Sequence, residues 1–339
     1  MGILFVRDQS VGFKNHVENI AIVGAGGRSG SFIADALIRG KKHRVTAITR
    51  SDSTNKMLPG LHDIKQVDYS NHASIVKALK GQEVLIITMN VMANKESQTK
   101  LIDAAVEAGV KWIMPNEWGV DLSKVEMSKD CMLRDRLVPV REYIEKAGTD
   151  KTRWIGLCCG FWYEFSLAGT EARYGFDFDK KTLTLYDDGN TKINTSTWPQ
   201  FGRAVASLLS LKILPEDEKD KSPCLSQYNN KSAHVSSFFV SQKDMFESVL
   251  RVTGDDEKAW KITHEDIVER YNRAQQMVKE GKMLGFLLTL YSRIFYKDGA
   301  GDFNGNLDND VLGLPKEDLD EATKVAVNMA LSGDTNAVE

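Results

Sequence analysis

From about residue 19 to residue 159, short apolar runs alternate with stretches in which apolar positions recur every third or fourth residue. The first pattern is that of a strand buried on both faces, the second that of a helix with one buried stripe. ENIAIVG predicts a first strand, SGSFIADALIRG a helix ending at Gly40, HRVTAITR a second strand and IKQVD a third. HASIVKALKG predicts a helix closed by Gly81, EVLIITM a fourth strand, KESQTKLIDAAVEAG a further helix, VKWIMP a fifth strand and TRWIGLCCG a sixth. A helix between the last two strands is placed somewhere in 128–146. Strands and helices in strict alternation predict an α/β fold, a Rossmann-type doubly wound parallel sheet.

After Gly160 the rhythm changes. Short strands (TLTLYD, TKINTS, VSSFFVS) are separated by turns and by helices expected at 198–212 and 241–253. A helical tail is expected over most of 263–297 and over 315–330. Residues 1–160 are therefore read as a dinucleotide-binding domain. Residues 161–339 form a smaller C-terminal α+β substrate region, with segments packing back on the first sheet. MLGFLLTLYSRIFY, from Met283 to Tyr296, is too short for the roughly 20 apolar residues of a bilayer span. It is expected to be a buried helix lining a pocket or an interface.

Composition narrows the function. With 44 basic and 47 acidic residues spread along 339 positions, no field is available to gather nucleic acid or an anionic membrane. Cys131, Cys158, Cys159 and Cys224 follow no metal or CxxC spacing and read as reduced core thiols. The opening residues lack the pattern of a secretory leader, so the expected location is the cytoplasm. The six histidines form no HxxH or HExxH spacing, and no metal is expected. The serines include no GxSxG elbow, which argues against a hydrolase.

The first strand runs into Gly24-Ala25-Gly26-Gly27-Arg28-Ser29-Gly30 and then directly into a helix. Gly24, Gly27 and Gly30 match GxxGxxG. Residues without Cβ allow the tight turn and let backbone N–H groups reach a pyrophosphate at the positive helix end. An acidic residue ending the second strand would favour NAD(H). Here that strand ends Arg50-Ser51, which offers a guanidinium and a hydroxyl to a 2′-phosphate, and Arg28 adds a second cation, so NADP(H) is expected. Under the rival reading Arg50 is a surface arginine and Asp52 takes the acidic role. Ligands sit at the carboxyl ends of the strands, which puts Asp68 near the adenine edge and Met89 and Asn90 beside the ribose or nicotinamide. Asp68 serves equally well as the cap of the next helix.

These residues resemble the NmrA-like and isoflavone reductase-like group of atypical short-chain dehydrogenases, its fungal branch above all. The carriers are the glycine turn, Arg50, VDYSNHASIVKALKGQEVLI, VKWIMPNEWGVD, GFWYEFSLAG, DDGNTKINTSTWPQFGRAVASLL and LGLPKEDLDEATKVAV. The resemblance implies an NADPH-dependent reductase of aromatic or secondary-metabolite substrates. It also implies a lysine acid/base in the helix after the NEWG segment, near Val140-Arg141-Glu142-Tyr143-Ile144-Glu145. That lysine position falls on Leu137, Asn116 stands where the family has serine, and Tyr143 lacks the lysine of a YxxxK pair. Tyr163 is left as the candidate proton donor, in a substrate pocket of Trp118, Phe161, Trp162 and Tyr163. Two functions follow: a reductase of a small molecule, or a dinucleotide-sensing regulator that turns nothing over and binds a partner protein, as some NmrA-like members do. A homo-oligomer is compatible with both.

Overall fold

The computed structural model describes residues 4–54, 56–90 and 95–334. Its main sheet begins with β1 (Asn19–Val23), β2 (Arg44–Arg50), β3 (Asp63–Val67), β4 (Val84–Ile87), β5 (Trp112–Met114), β6 (Trp118–Gly119) and β7 (Arg153–Cys158). The interleaved helices are α1 (Arg28–Gly40), α2 (His72–Leu79), α3 (Lys95–Ala108), α4 (Val125–Asp130) and α5 (Arg134–Gly148). The single helix expected in 128–146 is two. The chain breaks between them at Met132, whose φ of 57° ends the first.

The second half contributes β8 (Phe161–Trp162), α6 (Tyr163–Leu167), β9 (Phe176–Asp177), β10 (Thr182–Tyr186), β11 (Ile193–Ser196) and α7 (Trp198–Leu209). It continues with β12 (Lys231–His234), β13 (Phe238–Val240), α8 (Gln242–Thr253), β14 (Lys261–Glu265), α9 (Ile267–Lys279), α10 (Met283–Arg293) and α11 (Leu319–Ser332). The helical tail expected from 263 starts later. Residues 263–265 belong to β14, which pairs in parallel with β10 and so satisfies its backbone in a sheet.

The main sheet runs β12-β7-β5-β4-β1-β2-β3, every pair parallel, with β6 added against β7. Both faces of β1 are buried, as its unbroken apolar run predicts. Ile20 and Ile22 join Ile33, Leu37, Phe201 and Val205 on one side. Ala21 and Val23 join Ile75, Leu101 and Ala105 on the other. Helix α7 comes close to α1 because Gly202 has no Cβ; one would lie 2.3 Å from the Phe32 carbonyl oxygen. The strand order reverses between β1 and β4, so a crevice opens outside their carboxyl ends.

A second core, built from Tyr163, Tyr174, Phe176, Leu183, Phe246, Trp260, Tyr291 and Phe295 among others, fills the space between two three-stranded sheets and α8, α10 and α11. Helix α10 packs on α9, and Tyr291 tilts against Phe161 with ring centroids 4.6 Å apart. Met283 and Leu284 at its start are exposed. No helix among the described residues is long and apolar enough to cross a membrane.

Candidate active site

The three motif glycines have different physical roles. At Gly24, with φ 84°, a Cβ would lie 1.9 Å from the Thr88 carbonyl oxygen; at Gly30 it would lie 2.1 Å from the Gly24 carbonyl oxygen. Both let the turn fold against β4. At Gly27 a Cβ would meet only the Gly24 oxygen, at 3.2 Å, so its other side is open. Gly27 is the N-cap of α1, where no side chain caps the first-turn amides. Gly26 precedes it in the turn, and Ser29 sits in the first helical turn. Uncapped amides at a positive helix end beside a residue without Cβ fit a dinucleotide pyrophosphate.

Arg50 ends β2 exposed, its Nε 3.4 Å from an Asp52 carboxylate oxygen, with Ser51 exposed beside it. Arg28 is turned elsewhere. Its Nη2 donates to the Asp334 carboxylate at 2.9 Å, and its guanidinium lies over the Trp198 ring at 5.3 Å. Asp68 accepts from the backbone N–H and hydroxyl of Ser70, while Asn71 caps α2 by accepting from the Ser74 N–H. The helix cap that Asp68 was weighed for therefore belongs to Asn71. Tyr69, which no motif singled out, is half-buried beside Arg50, and burial pushes its hydroxyl up to about 12.

Over the ends of β4 and β5 lies a cavity of about 380 Å³. Met89, Asn90, Asn116, Glu117, Trp118 and Phe161 line it on the strand side, and Leu133, Leu137, Val140 and Tyr143 on the α5 side. The α5 residues recur every third or fourth position and share one helix face. Asn116 fastens the floor: its Oδ1 accepts from the Met89 N–H and its Nδ2 donates to the Met89 carbonyl, both at 3.1 Å, while its own N–H donates to Gln98. Trp118 is fixed by its indole N–H on the Ile87 carbonyl at 3.0 Å.

Two ionisable groups of the wall are committed. Glu117 is buried and accepts three hydrogen bonds from Arg141, at 2.7 to 3.0 Å; burial raises its pKa and Arg141 opposes the rise. The Tyr143 hydroxyl donates to Asp103 at 2.6 Å, which with partial burial raises the tyrosine pKa. Leu137, at the place of the family lysine, is an apolar part of the wall.

Of the four expected pocket residues, Trp118 and Phe161 line this cavity; Trp162 and Tyr163 do not. Phe161 and Trp162 are neighbours on β8 and point to opposite faces. Trp162 packs against Phe165, Trp198 and Phe201. Tyr163 is fully buried in the second core, its hydroxyl 2.7 Å from that of Thr323, and burial drives its pKa well above the ordinary value. As the proton donor it is ill placed, because α6 starts at this residue and turns its ring away from the cavity. Gln98, Thr99, Asn116 and Tyr143 were not foreseen as wall residues. The helical spacing of Leu133, Leu137, Val140 and Tyr143 was the available signal.

Residues 16–169, which span the glycine turn, the cavity floor and every strand of the main sheet but β12, match the NmrA-like family. Across more of its length, the chain is similar to oxidoreductase aprR of Aspergillus flavus, 26% identical over 308 residues, covering 89% of this chain and 96% of that protein. Isoflavone reductase homolog P3 of Arabidopsis thaliana is 30% identical over 186 residues, 51% of this chain and 58% of that one. The fold is that of AtPrR2 with NADP+ and (+)pinoresinol, at a TM-score of 0.69 and 19% identity, covering 93% of this chain and all of the other. The Rossmann-type expectation is thereby met, in the company of chains that hold NADP(H).

Proposed function

We propose that this chain is an NADPH-dependent oxidoreductase that delivers hydride to a small conjugated acceptor, such as an aromatic ketone, an enone or a quinone. The observation that carries this reading is the position of the cavity, over the ends of β4 and β5, its lining beginning at Met89, one residue past the Thr88 on which the glycine turn packs. NADPH bound along that turn supplies the hydride. The amides at Gly27 and the start of α1 hold the pyrophosphate, and Arg50 with Ser51 reads the 2′-phosphate. Met89 and Asn90 adjoin the nicotinamide half. Trp118, Phe161 and Leu137 keep water out and give an aromatic substrate its contact area. Relatives described as an oxidoreductase and an isoflavone reductase homologue support the same reading.

Leu137 bears on the substrate class. With no lysine there and Glu117 held by Arg141, the wall is left with Tyr143, which already donates to Asp103, the weakly acidic hydroxyl of Thr99 and the carboxylate of Asp135. An acceptor whose reduced form is a resonance-stabilised anion needs little help from a protein acid, whereas an isolated ketone needs much. We place the reaction in the cytoplasm, on a secondary-metabolite intermediate.

The experiment is NADPH oxidation followed by absorbance against quinones, enones and simple ketones. The first two groups should turn over faster than the third. Tight NADPH binding with no oxidation by any of them would sink the reductase. It would leave the second reading, a dinucleotide sensor, which the absent lysine favours.

A further inference from the structure

Behind the glycine turn, on the face of β8 away from the cavity, lies a group of N–H donors, among them the buried Arg173 and the part-exposed Arg28, that the hydride-transfer reading does not use. Arg173 is 4% exposed, its guanidinium lies 3.6 Å over the Phe165 ring, and its Nη1 donates to the Phe165 carbonyl at 2.6 Å. Among the described residues it has no carboxylate within salt-bridge distance, and its Nε is buried without a partner. Arg28 faces the same ring from 5.9 Å. Asp334 takes its Nη2, but its Nη1 is also buried without a partner. The indole N–H groups of Trp162 and Trp198, whose rings are 6.0 Å apart, are buried and unpartnered as well.

Isolated, each of these would be an ordinary imperfection of packing. Together they are four donors, two of them cationic, around the rings of Trp162, Phe165 and Trp198, with the Asp334 carboxylate on Arg28 and the Glu164 carboxylate already taken by the Trp198 backbone N–H. A buried guanidinium without an anion is costly, and cation–π contact recovers only part of that cost. The two cations also act on each other: burial and the charge of Arg28 both lower the Arg173 pKa. Asp334, itself mostly exposed, indicates the chemistry the site accepts, since it already presents a carboxylate to Arg28.

We propose that Arg28 and Arg173, with the indoles of Trp162 and Trp198, form an oxyanion site that takes a phosphate or carboxylate group beside the glycine turn. The planar guanidiniums grip the anion, and the indoles complete its hydrogen bonds. The anion comes either from a phosphate of the dinucleotide or from a separate acidic ligand. The site does not depend on hydride transfer.

The test is thermal unfolding and calorimetry of the full chain with inorganic phosphate, against sodium chloride at equal ionic strength, for the parent, Arg173→Met and Arg28→Met. Phosphate should raise the parent's melting temperature above the chloride control. Each variant should bind phosphate about tenfold more weakly or worse. In the absence of phosphate, Arg173→Met should melt no lower than the parent, because it removes an uncompensated charge. Repeating the titration at saturating NADPH separates the sources: a phosphate effect that vanishes assigns the anion to the cofactor, and one that persists assigns it to a second ligand. No phosphate-specific shift in the parent, or the same shift in parent and variants, overturns the site. Should Arg173→Met fail to fold, the parent and Arg28→Met decide the matter.

Discussion

Arg141 grips both carboxylate oxygens of Glu117, and its Nη2 reaches on to the Ser232 hydroxyl at 3.0 Å, so one guanidinium joins the cavity floor to the edge strand of the sheet. It also stacks over Trp154 at 4.1 Å. Removing one partner of a buried pair strands the other's charge. Arg141→Met should therefore lower unfolding free energy by about 3 to 5 kcal/mol in denaturant titration. A loss below about 1 kcal/mol would mean that the pair is dispensable. The double variant Arg141→Met/Glu117→Gln should recover part of the loss.

The glycines of the turn should separate binding from folding. Gly27→Val should remain folded, melting closer to the parent than Gly24→Ala does, and lose NADPH binding by calorimetry, because the proposed pyrophosphate contact is on its open side. Gly24→Ala should melt lower even without cofactor, since its Cβ would strike Thr88. Equal effects of the two on stability would contradict this division.

Arg50→Ala should weaken NADPH by about 1.5 to 3 kcal/mol and leave NADH nearly unchanged, as expected for a charge-assisted contact to the 2′-phosphate alone. If both cofactors weaken together, Arg50 does not read that phosphate. Arg28, held now by Asp334, would have to be released to do so.

Leu137→Lys places an amine in the cavity wall at the position where the isoflavone reductase-like resemblance implies one. The variant should gain turnover on simple ketones relative to quinones, seen as a rise in kcat at similar KM. An unchanged ratio would show that proton supply does not set the substrate class.

Glu164 is 3% exposed, accepts from the Trp198 backbone N–H, and lies near Glu317 and Arg203; burial lifts its pKa to about 7. The sign follows from proton counting. Between the unfolded value of about 4.3 and 7 the folded chain holds the proton more tightly, so stability is greatest below that window and falls as pH rises through 7. The loss should be on the order of 3 kcal/mol. Glu164→Gln should flatten this part of the stability profile in denaturant titrations at pH 5 and 8.

The sequence was most legible where burial is two-sided. β1, β4 and β7 are nearly continuous apolar runs, and the alternation with amphipathic helices leaves one economical topology. Trp118–Gly119 and Lys231–His234 carry no such pattern. They are strands because a neighbouring edge completes their hydrogen bonds, which only the folded sheet supplies. The glycine turn was readable because its constraints are local. Tyr163 was misplaced because at Phe161-Trp162-Tyr163 the chain passes from strand to helix, and the side-chain period changes inside a three-residue aromatic run. The cavity wall on α5 was obscured by Met132, whose left-handed backbone divides one expected helix into two.

Lys231–His234 pairs along Ile155–Cys158, some seventy residues from it in the chain, and seals what would otherwise be a bare margin of backbone donors and acceptors. The stretch that matches the NmrA-like family, residues 16–169, thus stops short of the strand that closes its sheet. A gene fragment cut after residue 169 should yield a protein that pairs with copies of itself through β7. One that runs on through β12 should cover that edge but still bare the aromatic face of 163–186, which packs on residues 238–327. The strand that closes this sheet lies beyond the family match, and the second core lies beyond that, so anyone excising the glycine-turn half for use elsewhere would have to cut by structure and not by likeness.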